Sequence, residues 1–311
     1  MSVIDPVIEC NNIGKKYHNR WAIKNITYKF LKGKVTLIAG PSGAGKSTLI
    51  NIISGIISPS EGNIFLFGYN LNLNFQKIKP YISCAWNKTS LFSNMSVINN
   101  LRFFSYLRGQ TLEETDTKIN DILCIFELSH DKNKYTSNLS LGSKQKVDLC
   151  RVLINNFEIL LLDEPSAFLD NKAKKTLVKI LCKYKEQGKS IIIVSHHASL
   201  YSNLIDDIII MKNGKIIYNQ SMENLIANTK EFRNAFILKT SNRLLANDIL
   251  QTLPGIENTY VSQKAVHVYL KEEGDLSYII NLLGNRGLKI NKIISKEPNL
   301  DKLIGELINA H

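Results

Sequence analysis

Gly40-Pro41-Ser42-Gly43-Ala44-Gly45-Lys46-Ser47-Thr48 decides the reading of this chain, for it sets three glycines, a lysine and two adjacent hydroxyls within nine positions. Glycines let backbone N–H groups turn inward on an anion, a lysine neutralises its charge, and a neighbouring hydroxyl ligates a divalent cation. KVTLIAG (34–40), just before, is a short run of strand formers, and KSTLINIISGI (46–56), just after, has helical periodicity. A glycine loop between strand and helix aims its N–H groups and the helix dipole at one point. Gly40–Ser47 fits GxxxxGK[ST], a pattern that composition alone produces in about 1% of chains of this length. We therefore read the stretch as a grip on phosphate, with Lys46 on the phosphate charge and Ser47 on Mg²⁺.

Outward from this loop, FEILLLDEP (157–165) and KSIIIVSHH (189–197) are continuous apolar runs, as in parallel strands covered on both faces. NKAKKTLVKILCKYKEQG (171–188) has helical spacing and stops at Gly188. The core is accordingly α/β. Early strands PVIECNNIGKKY and NIFLFGYNL suggest an antiparallel flank, with turn residues at SPSEGN (58–63), and the region 93–156 reads as mostly helical. Beyond about residue 228, FRNAFILKT, NRLLANDILQTL, IENTYVS, AVHVYL, DLSYIINLLGNRG and LKINKIISK follow the order β-α-β-β-α-β, which is ferredoxin-like. A last helix, NLDKLIGELINAH, follows Pro298. Two domains are expected: residues 1–228, with a helical subdomain at about 88–156, and a small α+β domain at 229–311.

Of the 311 residues 44% are apolar and 21% charged, an ordinary globular balance. No apolar run approaches the ~20 residues a spanning helix needs, and the N-terminus lacks a secretory pattern, so the chain is expected in the cytoplasm. Five cysteines have no zinc or disulfide spacing and read as core or surface thiols. The net charge of +12 would draw nucleic acid or an anionic membrane, but scattered, solvated lysines account for it equally well.

Asp163 ends the first acidic strand, ILLLD (159–163), where it can hold Mg²⁺, and Glu164 beside it can polarise an attacking water as general base. With these marks in order, the sequence resembles the ATP-binding cassette (ABC) family over residues 1 to about 225. The resemblance implies an ATPase using ATP and Mg²⁺: a P-loop core with an antiparallel β flank and a helical subdomain. In LSLGSKQK (139–146), Ser140 and Gly142 match the family's signature and would meet the γ-phosphate held by a second copy. His196 matches the family's γ-phosphate histidine, while the adjacent His197 reads as structural. Asp170 in SAFLD falls in the loop that reports across the dimer, and Tyr17 where an aromatic stacks on adenine, with an ordinary half-buried tyrosine as its alternative. Gly40 to Thr48, that is Gly40, Pro41, Ser42, Gly43, Ala44, Gly45, Lys46, Ser47 and Thr48, would cradle the nucleotide.

Three positions depart from the pattern. Asn87 stands where the family has a glutamine that reaches Mg²⁺, Leu141 where it has glycine, and Ser143 where it has glutamine. The SLGxKQ variant and the C-terminal extension resemble a branch that exports drugs, peptides or bacteriocins. The resemblance implies a second copy or a homologous ATPase subunit, a separate transmembrane permease docked on the helical insertion, and a place on the cytoplasmic side of the membrane. Two other readings stand beside it. A cassette acting on nucleic acid has only the +12 charge in its favour: 117 positions without heptads separate Lys46 from Asp163, and the chain carries one cassette, so nucleic acid is not an expected partner. A slow regulatory module would explain Asn87, Leu141 and Ser143 but not the intact Lys46, Glu164 and His196.

Overall fold

A computed structural model describes residues 5–228, 235–271, 276–295 and 299–310. The chain opens with β1 (Pro6–Tyr17), β2 (Arg20–Leu31), β3 (Val35–Ala39), α1 (Lys46–Ile53), β4 (Glu61–Leu66), β5 (Tyr69–Asn70), α2 (Leu71–Ile78) and β6 (Ile82–Ala85). It continues with α3 (Val97–Tyr106), α4 (Leu112–Ile125), α5 (Leu141–Leu153), β7 (Ile159–Asp163), α6 (Asn171–Glu186), β8 (Ser190–Val194), β9 (Asp207–Lys212), β10 (Lys215–Ser221) and α7 (Met222–Asn228). The remainder is β11 (Ala235–Thr240), α8 (Arg243–Gln251), β12 (Ile256–Val261), β13 (Val266–Leu270), α9 (Leu276–Asn285), β14 (Ile290–Ser295) and α10 (Leu300–Ala310).

Six strands form the central sheet in the order β10-β9-β3-β8-β7-β6, and the pairs β9-β3, β3-β8, β8-β7 and β7-β6 are parallel. Every residue of β3, β7 and β8 is buried, which is why these strands read as unbroken apolar runs. A second sheet, β2-β1-β4-β5, is antiparallel. Ile8, Ile23 and Ile64 of this sheet share one core with Leu49 and Ile50 of α1 and with Ile209 of β9. Burying each such side chain stabilises the fold by about 1.5–3 kcal/mol. The core thus clamps α1, and with it the glycine loop at its N-terminus.

The helical region is three helices, α3 to α5, with the chain turning at Gly109 and Glu127, both at positive φ. NIFLFGYNL is not one strand: Phe67 and Gly68 take φ of 52° and 78°, turning β4 back into β5, and Asn70 then caps α2 through the N–H groups of Asn72 and Leu73.

The chain divides into two compact units, one holding the described residues up to Gln220 together with 300–310, the other running Ser221–Asn299. The second unit has the sheet β12-β13-β11-β14, antiparallel at every step, which is the ferredoxin-like order expected. Val266, Val268 and Leu270 of β13 alternate inward onto Ala246 and Leu250 of α8 and Leu283 of α9. Residues 232–234 of the expected strand FRNAFILKT, and Pro298, lie outside the described residues. The expected boundaries need correction at both ends: the second unit begins at Ser221, and the last helix does not belong to it. Leu300, Leu303 and Ile304 make one buried face of α10, and Lys212 Nζ donates to the Ile308 carbonyl at 2.8 Å, so α10 completes the first unit. A division by sequence order could not anticipate that return.

No helix among the described residues is long and apolar enough to cross a membrane. Cys10 and Cys150 are buried, and burial pushes the Cys10 and Cys84 thiols up to about 12, in keeping with inert side chains. Exposed Lys172, Lys175, Lys179 and Lys183 lie on one side of α6, opposite buried Ala173, Leu177 and Leu181, so part of the positive charge is a solvated helix face.

Candidate functional site

The cleft at the end of β3 and β7 is lined by the loop residues Ser42 to Thr48 together with Ala22, Asn87, Asp163, Glu164, Val194 and His196. Parallel order explains the convergence, because the loops leaving the C-terminal ends of neighbouring strands β3, β7 and β8 meet on one edge of the sheet. Gly45 opens α1 at φ 100°, and no side chain caps that helix, so its first-turn N–H groups face the cleft without an internal acceptor. Lys46 is buried and donates to the carbonyls of Gly40 (2.7 Å) and Pro41 (2.9 Å). Burial holds the Lys46 ammonium below its usual range, partly offset by the charges of Glu164 and Asp163. An ammonium, free helix N–H groups and a concave wall are what a polyanion fits.

Asp163 is 5% exposed and shares the cleft with the Ser47 hydroxyl. Burial lifts its carboxyl above the usual range, against the pull of Ser47 and of Lys46. Serine hydroxyl, carboxylate and the Asn87 amide are hard oxygen donors lining one cleft, a set suited to a small divalent cation. Glu164 sits at φ 51°, an uncommon conformation for a side-chain-bearing residue, held there by its N–H bond to the Val194 carbonyl (2.9 Å). Its Oε1 accepts from the His196 N–H at 3.1 Å and lies 3.6 Å from His196 Nε2. Burial first, then the neighbouring Asp163 charge, raises the Glu164 carboxyl. The His196 imidazole, although half exposed, is held below the usual histidine value by partial desolvation first and then by the Lys46 charge.

Lys46, Ser47, Asn87, Asp163, Glu164 and His196 are thus brought together, and Gly40 and Pro41 serve through their carbonyls. Tyr17, Ser140, Gly142 and Asp170 do not line this cleft. Tyr17 is 47% exposed at the end of β1, with Lys15 Nζ 5.5 Å from its ring centroid. Ser140 caps α5, accepting from the Ser143 N–H at 3.1 Å, and is itself exposed. Asp170 caps α6 and pairs with Lys146 Nζ at 2.8 Å, which holds its carboxyl down to about 2. Gln145 Nε2 donates to the Pro165 carbonyl at 3.4 Å, and a Cβ on Gly142 would stand 2.8 Å from the Phe168 carbonyl. Two contacts and the close approach of Gly142 therefore tie the start of α5 to the loop that follows Glu164.

Sequence reasoning missed Gln145, Lys146 and the turn behind the glycine loop. Asn213 and Gly214, at φ 50° and 73°, form the β9–β10 hairpin; the Gly214 N–H donates to the Ala44 carbonyl (3.1 Å), and its carbonyl accepts from Lys24 (2.9 Å). The signal was available, since Asn-Gly between apolar runs in MKNGKII is a hairpin signature.

Residues 23–167 match the sequence profile of the family described as ABC transporter. The spermidine/putrescine import ATP-binding protein PotA of Clostridium acetobutylicum is 30% identical over 317 residues, covering 98% of this chain and 84% of that protein. The sulfate/thiosulfate import ATP-binding protein CysA of Mesostigma viride is 28% identical over 267 residues, covering 83% and 76%. Among solved structures, a dimeric ATP-binding cassette in a post-hydrolysis state with ADP and Pi superposes with TM-score 0.64 at 28% identity, covering 69% of this chain and 98% of that one. These relatives are named for import, so the expected export branch finds no support among them. The chain belongs to the ABC transporter family, as an ATP-binding subunit that hydrolyses ATP.

Proposed function

We propose that this chain powers a separate transmembrane permease by clasping and hydrolysing ATP between two copies of itself, at the inner face of the membrane. The observation that carries the reading is the convergence of Lys46, Ser47, Asp163, Glu164 and His196 on one cleft, with Ser140 exposed at an uncovered helix start elsewhere. The N–H groups of the loop Gly40 to Thr48 and the Lys46 ammonium bind the phosphates; Lys46 exchanges its two loop carbonyls for phosphate oxygens. Ser47 and Asp163 would hold Mg²⁺, with Asn87 behind them; bound there, the ion spreads the charge of the transferring phosphate. Glu164 accepts the proton of the attacking water, and its raised pKa keeps it basic enough for that task. His196 orients the terminal phosphate and fixes the Glu164 carboxylate through its N–H. Ser140, Gly142 and Asp170 act on the nucleotide of the partner copy, and Tyr17 stacks on its own adenine. The second unit is an accessory domain, and helices α3 to α5 are the face for the permease.

The SLGxKQ pattern at Leu141 and Ser143 supports export, whereas the relatives above are importers by name. ATP-driven accumulation of a labelled cargo in inside-out vesicles, against its accumulation in right-side-out vesicles loaded with ATP, each carrying the copurified permease, separates the two.

The main test is sedimentation of the purified chain with ATP and Mg²⁺. A dimer is expected for Glu164→Gln, which binds but does not cleave, and a monomer for Lys46→Ala. Absence of any ATP affinity in the unaltered chain sinks the proposal.

A further inference from the structure

Ser199 and Asp301 lie far apart in sequence and cap one another. The Ser199 N–H donates to Asp301 Oδ1 at 3.4 Å, and the Asp301 N–H donates to Ser199 Oγ at 3.3 Å. Each N–H belongs to the first turn of a helix, where the backbone has no internal acceptor. Ser199 is in the short 3₁₀ turn Ala198–Tyr201, whose preceding residue His197 offers no side-chain bond, and Asp301 is in the first turn of α10. Within one helix a serine and a carboxylate three residues apart make this reciprocal pair; here two elements make it for each other. Ala198, Tyr201, Leu300, Leu303 and Ile304 are all buried, which keeps the pair in register.

The other end of α10 is held by Lys212 Nζ on the Ile308 carbonyl at 2.8 Å. Lys212 ends β9 immediately before the Asn213–Gly214 turn that bonds Ala44 of the glycine loop. One end of α10 thus grips the segment that begins two residues after His196, and the other grips the strand end behind the phosphate loop.

We infer that α10 is a strut for hydrolysis, with Ser199 and Asp301 as positioning residues that set His196 against Glu164 and the phosphate loop. The inference rests on the role given to His196 above. His196 meets Glu164 through its backbone N–H as well as its ring, so a displacement of the 198–201 turn moves both contacts. A misplacement on the order of 1 Å in such a constellation costs up to about 10²-fold in rate.

The test uses full-length variants. Asp301→Ala is expected to lower kcat by about 3- to 30-fold with KM for ATP within about twofold, since the loss falls on chemistry rather than binding. Asp301→Asn keeps Oδ1 as acceptor and should restore most of kcat. Hydrogen exchange should quicken at the amides of 196–201 while those of 44–50 keep their wild-type protection. Combined with His196→Ala, Asp301→Ala should add little, because both act through one group. Lys212→Ala provides a second variant at the far end of the helix, with the same signature expected.

Wild-type kcat and exchange in Asp301→Ala, with His196→Ala impaired, overturns the strut and leaves the role of His196 intact. Wild-type kcat in His196→Ala overturns both. A fall in ATP affinity with faster exchange throughout the first unit marks plain loss of packing and also overturns the inference.

Discussion

Replacing Glu164 by glutamine separates two effects that the site combines. The amide keeps the shape and retains Oε1 as acceptor for the His196 N–H, now at 3.1 Å, so the geometry of the cleft is preserved. What it loses is the ability to take a proton, and removing a general base costs about 10²- to 10⁴-fold in rate. ATP affinity should stay within a few-fold of wild type, because Lys46 and the loop are untouched. The same change removes a charge that the fold tolerates poorly: Glu164 is mostly buried, at 15% side-chain exposure, and lies beside the buried Asp163. Burial and Asp163 raise its pKa, so the ionised form is the disfavoured one. For a carboxyl raised in the folded state, stability is greatest below its unfolded pKa and is lost as pH rises through the folded value. At pH 8 the wild type therefore carries the full penalty. The glutamine variant should be more stable there by about 0.5–2 kcal/mol, the usual gain when functional strain is released. Each kcal/mol moves Tm by about 2–4 °C for a domain of this size. The gain should shrink as pH falls toward 5. Phosphate release under saturating ATP and Mg²⁺, and nucleotide-free thermal melts at pH 8 and pH 5, measure the two arms. Turnover within threefold of wild type refutes the general base, and an unchanged or lower Tm at pH 8 refutes the electrostatic argument.

Gly142→Ala should push the start of α5 off the loop after Glu164, since the new Cβ would meet the Phe168 carbonyl at 2.8 Å. A stability loss of about 1–3 kcal/mol is expected, with kcat reduced more than ATP affinity; equal kcat would show the contact to be idle. Gly214→Ala combines a φ of 73° with a Cβ 2.7 Å from the Ala22 carbonyl, and should cost about 2 kcal/mol or more. ATP affinity falls with it, because the turn holds Ala44; calorimetric titration that finds full affinity contradicts this. The His196 imidazole should titrate below 6.5 in the nucleotide-free protein, and move upward in Lys46→Ala, because burial and the Lys46 charge both oppose protonation. An NMR midpoint above 6.5 would remove that account. With its pKa depressed, neutral His196 favours the fold above the ordinary histidine value, and that contribution declines as pH falls through it.

Much of the molecule was legible in one dimension. The glycine loop, the acidic pair after ILLLD and the histidine after IIIVS each combine a chemical residue with a local pattern, and parallel strands deliver such residues to one edge wherever they lie in sequence. The order of the second unit was legible for the same reason, since alternation and helical period are local properties. Other features depend on contacts between distant residues. The charge at position 146 reads as a solvated lysine until Asp170 is found beside it. Ser199 and Asp301 are unremarkable letters in their own segments and become a pair only where α10 returns to the first unit. Composition, period and motif determined the glycine loop between strand and helix, the carboxylates and the fold class, because those signals are carried by neighbours along the chain. Which helix completes which unit, which residues brace the loops, and how far burial shifts each carboxyl and imidazole were decided by the tertiary structure alone, because they depend on distance and solvent exclusion that no local spacing encodes.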